Sequence, residues 1–231
     1  MKTIGLVGGI SWHSSLDYYR LFNELTNQRL GGNEAAKVIV YSVNYGEIVT
    51  LTKAGDWKAL ADIMISAART IEAAGGDCVL LGANTMHHIA DKVQAAIGVP
   101  FIHIADATAM AIRQKGLRKV ALLGTRYTML FDFYRERLAA YGIEAMIPGE
   151  ADIDYVNQAI YEEMGKGKFL PATRARFIDL IHQLAAAGAE GVILGCTEIP
   201  ILIRPGDVQV PVFDTTLLHA TAAVDFALHD H

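Results

Sequence analysis

Two stretches of this chain copy one another, and that copy limits the fold more than composition does. Gly76-Asp77-Cys78-Val79-Leu80-Leu81-Gly82-Ala83-Asn84-Thr85 runs apolar into a glycine and then turns polar; Ala189-Glu190-Gly191-Val192-Ile193-Leu194-Gly195-Cys196-Thr197-Glu198 does the same. Aligning the glycines puts Ala83 on Cys196, an offset of 113. Residues 4–8 match 120–124 at an offset of 116, 17–20 match 132–135 at 115, and 99–101 match 210–212 at 111. Four matches in one order at nearly one offset predict two copies of a single α/β unit.

The runs between the glycines support this. Apolar runs at 3–7, 38–43, 78–81, 101–104, 119–123, 143–147, 192–194 and 212–213 read as strands. Helical periodicity covers 14–29, 56–74, 87–96, 105–115, 129–141, 152–164, 171–187 and 216–229. The first helix is expected to turn Leu16, Tyr19, Leu21 or Phe22, and Leu25 to the core. Residues 44–46, 165–168 and 201–210 read as loops. Continuous apolar strands alternating with helices imply mostly parallel sheets covered on both faces. The expected fold class is α/β: two pseudo-symmetric three-layer α/β/α domains with the active site in the interdomain cleft. The first lobe is expected over 1–104 plus 215–231 and the second over 105–214, with the helices after each last strand crossing to the opposite lobe.

Composition excludes several functions. Hydrophobic residues are 52 % and charged residues 19 %, enough for sizeable cores. The formal net charge is -5 with scattered basic residues, so nucleic acid and anionic membranes are poor partners. No apolar stretch is long enough to span a bilayer, and residues 3–7 read as a first strand rather than a signal segment. Two cysteines, Cys78 and Cys196, make no disulfide framework and fit a reducing, cytoplasmic setting. No metal-ligand spacing appears.

The chemistry gathers where strands end, which is where open α/β sheets bind ligands. Cys196 follows its strand directly. Near a helix N-terminus such a thiol is expected to have a lowered pKa and to act as nucleophile or base; the alternative is a buried inert thiol. Cys78, inside a strand, reads as core. Ser11, Asn84, Thr85, Thr125, Tyr127, Thr128, Thr197 and Glu198 follow other strand ends. They would surround a small anion together with the free N–H groups of the next helices, or the threonines would only cap those helices. His87 and His88 point apart on a helix and read as surface or supporting residues. Lys53, Lys166 and Lys168 are candidate carboxylate contacts or solvated loop lysines.

Six motifs together resemble the aspartate/glutamate racemase family, with enterobacterial-type aspartate racemases as the nearest kind. They are Gly5-Leu6-Val7-Gly8-Gly9-Ile10-Ser11-Trp12, Asn84-Thr85-Met86-His87, His103-Ile104-Ala105-Asp106-Ala107, Leu123-Gly124-Thr125-Arg126-Tyr127-Thr128, Gly195-Cys196-Thr197-Glu198-Ile199 and Pro211-Val212-Phe213-Asp214-Thr215. The resemblance implies racemisation of aspartate or glutamate without a cofactor. Two residues on opposite faces of the substrate would exchange the Cα proton. It implies Cys196 as one acid/base, and it puts Ala83 where relatives carry the other, a cysteine or threonine. It further implies that Asn84, Thr85, Thr125, Thr128 and Thr197 contact the carboxylate and amino group, with Ser11 and Tyr127 nearby, and that a homodimer is allowed. A methyl group carries no proton, so three readings of Ala83 compete. The chain is an engineered inactive variant, a natural relative of altered activity, or one that runs one-sided chemistry as arylmalonate decarboxylases do. A non-catalytic binder of a small dicarboxylate is the rival from another class.

Overall fold

Each apolar run that ends in a glycine becomes a buried strand of a parallel sheet. In the computed structural model, which describes residues 1–229, β1 (Ile4–Gly8) lies between β2 (Val38–Ser42) and β3 (Cys78–Leu81). Both ladders are parallel, and every residue of β1 and β3 is buried. A second parallel sheet has the order β5-β4-β6-β7, from β4 (Lys119–Gly124), β5 (Glu144–Met146), β6 (Val192–Gly195) and β7 (Val212–Asp214). Strands with no polar face need helices on both sides. Those helices are α1 (Trp12–Leu30), α2 (Tyr45–Ala54), α3 (Trp57–Ala73), α4 (Ala90–Gln94), α5 (Ile104–Gln114), α6 (Arg126–Leu130), α7 (Asp132–Ala140), α8 (Glu150–Gln158), α9 (Pro171–Ala186), α10 (Ile199–Leu202) and α11 (Thr215–Leu228).

The chain divides into two compact units, Met1–His103 with His219–His231, and Ile104–Leu218. Residues 230 and 231 of the first lobe's expected range lie outside the described residues. Helix α5 follows the first unit's last strand position but packs Ile104, Ala109 and Ile112 onto Val120, Leu122 and Ile193 of the second. The later turns of α11 pack Ala220, Ala223 and Val224 onto Ile4, Leu6 and Leu80 of the first.

The duplicated pattern recurs as duplicated hydrogen bonds. Asp77 takes the Thr3 N–H on its carboxylate (2.6 Å) and donates its own N–H to the Thr3 carbonyl (2.9 Å). Glu190 does the same with Lys119, at 3.0 and 2.8 Å. The Val79 N–H donates to the Pro100 carbonyl, and Val192 to Pro211, both at 2.9 Å. Tyr18 reaches His219 (2.8 Å) where Tyr134 reaches Thr108 (3.1 Å). That last pair corrects one alignment. The letter match at offset 115 sets Tyr19 on Tyr134, but Tyr18 and Tyr134 are the fully buried pair and Tyr19 is 55 % exposed.

The same shift turns the first helix. Its core face is Ser14, Tyr18, Phe22 and Thr26, while Leu16 and Tyr19, expected inside, point to solvent. Two apolar stripes fit the period, and the aromatic one carrying Tyr18 and Phe22 faces the sheet. Helix α2 was not expected at all. It is capped by Asn44, whose side chain accepts the Glu47 N–H. The expected strand at 101–104 shrinks to one bridge, Val79 to Phe101, because α5 already begins at Ile104. The expected loop at 201–210 gives its start to α10. The helix expected over 152–164 continues from α8 into a π-turn at Ala159–Glu163 and a 3₁₀ turn at Met164–Lys166, closed by Gly167 at φ 74°.

Candidate active site

The candidate residues follow the carboxyl ends of the strands, four of them in the first unit and six in the second. In the second unit, β4 and β6 run side by side and end together at Gly124 and Gly195. A side chain at Gly195 would meet the Leu123 carbonyl at 2.9 Å and the Thr128 methyl at 3.1 Å, so the close pairing of the strand ends demands glycine there. Cys196 follows, half-buried and free of any disulfide. Its Sγ–H donates to Oε2 of Glu198 at 2.9 Å, and the Thr197 hydroxyl donates to the same oxygen at 2.8 Å.

This geometry overturns the expected direction of the Cys196 pKa. Burial first, and then the charge of Glu198 and its hydrogen bond, hold the thiol well above the ordinary thiol value. The N–H groups of Glu198 and Thr197 pull the other way and lose. The nearest helix, α10, is four residues long and starts three residues later. The resting sulfur is therefore a thiol beside a ready proton acceptor. Glu198, a candidate substrate contact, accepts the bonds from both Cys196 and Thr197.

Replacing Glu198 by Gln removes the charge at constant size. Iodoacetamide alkylation of Cys196 at pH 8 is expected to speed up in Glu198→Gln, because more of the thiol is then ionised. Cys78 stays silent in this measurement, because burial pushes its pKa up to about 12. An unchanged rate would show that burial alone holds the thiol.

The other hydroxyls of this half support the backbone. Thr125 caps α6 by accepting the Thr128 N–H at 3.2 Å. Its Oγ1 also lies 3.2 Å from that of Thr128, which is fully buried. Tyr127 is half-buried and packs on Phe131. Arg126 is turned to the surface, paired with Glu150 and with Asp154 (2.5 Å). Asp214, ending β7, caps α11 through the Thr216 and Leu217 N–H groups. Thr216, which no sequence argument picked out, is 4 % exposed, and its hydroxyl has no hydrogen-bond partner.

In the first unit, Ala83 lies two residues beyond the end of β3, half-buried against the core, followed by buried Asn84 and half-buried Thr85. Ser11 caps α1 without its side chain; Ser15 instead accepts the Gly9 N–H at 2.8 Å and donates to the Ser11 carbonyl at 3.2 Å. Gly9 has φ +76°, and a side chain there would strike the Val43 carbonyl at 2.2 Å. His87 takes the supporting one of its two expected roles. It is 2 % exposed, and its Nδ1 donates to the Ala83 carbonyl at 2.9 Å. Its ring centre lies 4.6 Å from that of His103 and 5.4 Å from that of His219. His219 Nε2 donates to the Ile102 carbonyl (2.7 Å), which leaves Nδ1 to accept from Tyr18. Among the described residues no group of three or more His, Cys, Asp or Glu is placed to hold a metal ion, so these imidazoles read as packing. His88 is exposed and touches Trp57. Lys166 is exposed and paired with Glu162, and Lys168 is exposed.

The family model described as Asp/Glu/Hydantoin racemase matches residues 7–223. A Yersinia pestis protein assigned to the Asp/Glu racemases has the same fold at a TM-score of 0.94, with 47 % identity over 99 % of this chain and 100 % of that one. An aspartate racemase homologue from Pyrococcus horikoshii OT3 follows at 0.88, with 36 % identity over 99 % and 100 %. The broad specificity amino-acid racemase RacX of Bacillus subtilis (strain 168) is 24 % identical over 172 residues, 73 % of each chain.

Proposed function

The chain belongs to the Asp/Glu/hydantoin racemase family, and we propose that it moves the Cα proton of an acidic amino acid, aspartate or glutamate, without a cofactor, using Cys196 as its acid/base. The observation that carries this is the contact of the Cys196 thiol with Glu198 at 2.9 Å, at the end of a buried strand. As a base, Cys196 passes its proton to the Glu198 carboxylate, and the thiolate then takes the Cα proton. As an acid, it returns that proton to the carbanion and recovers its own from Glu198. A weakly acidic C–H needs such a base held in a fixed position and largely free of water. Aspartate and glutamate differ by one methylene, which a pocket separates only weakly. The relatives named for aspartate, for Asp/Glu and for broad specificity leave the same breadth of substrate.

Inversion needs a second proton carrier on the opposite face of the substrate, and Ala83 has none. We therefore expect exchange on one face with little racemisation. In D2O, deuterium should enter the Cα of one enantiomer of aspartate or glutamate and remain there without inversion. Proton NMR with chiral chromatography reads both. No incorporation into either enantiomer would sink the proposal. Ala83 also favours a second reading, a dicarboxylate binder without turnover. That reading is carried if calorimetry detects binding while the Cα proton stays put.

A further inference from the structure

Thr216 is the second residue of α11, in the second unit, and its side chain is unusual. The residue is 4 % exposed, and its Oγ1 has no hydrogen-bond partner among the described residues. A buried polar group left alone costs stability, so folded chains keep few of them. The groups beside it are satisfied. The N–H groups of Thr216 and Leu217 donate to Asp214 at 2.9 and 3.1 Å. The Thr215 hydroxyl donates to the Leu194 carbonyl at 2.9 Å. The Thr216 hydroxyl is what this turn leaves over.

The repeat shows that the fold does not need a hydroxyl there. The offset of 111 holds on both sides of the position. The Pro100 and Pro211 carbonyls accept matching bonds, and Thr108 and His219 each meet the buried tyrosine of their copy. At that offset Thr216 falls on Ala105, which is fully buried in the core. Ala83 falls on Cys196 in the same comparison. The copy without the thiol therefore also lacks the hydroxyl.

Thiol and hydroxyl follow adjacent strand ends. Strands β6 and β7 run parallel with Leu194 opposite Asp214. Two residues further on, Cys196 and Thr216 leave the sheet side by side, on strands about 5 Å apart. The bond from Thr215 to Leu194 keeps the two ends together. Carboxylates surround this edge: Asp214 takes the Thr216 N–H, and Glu198 lies against the Cys196 sulfur. Such charge repels a ligand carboxylate and attracts an ammonium group.

We infer that the Thr216 hydroxyl accepts a hydrogen bond from the α-ammonium of the amino acid bound at Cys196, and so selects an amino acid over a plain dicarboxylate. This rests on the reading of Cys196 as the centre of the site. A site that hydrogen-bonds a substrate N–H rejects the analogue lacking it, because its own polar group is then left unpaired.

Calorimetry of the full chain with aspartate, glutamate and succinate tests it. Thr216→Val keeps the branched shape and removes the hydroxyl. It should weaken binding of the amino acid about tenfold or more and leave succinate binding unchanged. Thr216→Ser should restore the amino acid to near wild-type affinity. The urea midpoint of ligand-free Thr216→Val, by far-UV circular dichroism, should equal or exceed that of wild type, since the lost hydroxyl held nothing in the folded chain. Equal losses for amino acid and succinate, no loss at all, a less stable valine variant, or a wild type that binds none of the three overturns the inference. Deuterium exchange at Cα separates it from the racemase reading. If wild type exchanges and Thr216→Val binds as tightly, this contact alone fails. If the expected binding pattern appears without exchange, the proton transfer alone fails.

Discussion

Ala83→Cys is expected to raise racemisation of aspartate or glutamate by at least about 100-fold, read by circular dichroism from either enantiomer. Position 83 follows the end of β3 as Cys196 follows that of β6, 113 residues later. Ala83 offers only a methyl group, so under the proposed mechanism a carbanion formed by Cys196 would take its proton back on the face it left. A positioned acid/base contributes about 10²–10⁴-fold, and a thiol at 83 would supply the missing one. The host site suits the change. Ala83 is half-buried, so one added atom need not overpack the core. The main chain there is already fixed by the His87 bond to its carbonyl. Ala83→Thr should recover less, because an alkoxide is far harder to form than a thiolate. If neither substitution raises the rate while Cys196 still exchanges deuterium, position 83 is not the second proton carrier.

The first unit should come apart in mild acid before the second does, because of the imidazoles buried in it. Burial lowers the His87 pKa well below the ordinary histidine value, and the neighbouring His103 and His219 lower it further. Burial lowers His219 to about 4, against a weaker opposing contribution from its bond to Ile102. Both are neutral in the folded chain and protonate more readily once it unfolds. Their contribution to stability is therefore complete above pH 6.5 and is lost as pH falls toward 4. For His219 alone this amounts to about 3 kcal/mol. The two tryptophans, Trp12 and Trp57, both lie in the first unit, so their fluorescence reports it selectively. The urea midpoint by tryptophan fluorescence should fall steeply between pH 6.5 and 4.5. His219→Thr copies the Thr108 that meets Tyr134 in the second unit. It should flatten that slope even if it lowers stability at pH 7. A slope equal to wild type would mean that His219 is not the group that titrates.

Much of the fold was legible because its causes are local. An apolar run closed by glycine reads as a buried parallel strand, and 78–81 and 192–194 fall on β3 and β6 almost residue for residue. The repeat was equally plain, since the same turns need the same residues in each unit. The cap at Asn44 was visible too, and taken with Glu47 it could have announced α2.

Other features depend on neighbours distant in sequence. The period of α1 allowed two stripes; packing on the sheet chose Tyr18 and Phe22 and turned Leu16 and Tyr19 outward. His219 gained meaning only when α11 packed beside Tyr18 and Ile102, 201 and 117 residues away in sequence. The thiol of Cys196 was expected to ionise easily because a helix follows it, but burial under the packed unit reverses the sign, with Glu198 against the sulfur adding to it. Periodicity and turn chemistry act between near neighbours and can be read from the chain. The face a helix presents and the burial of a thiol come from long-range packing, which exists only once the chain has folded.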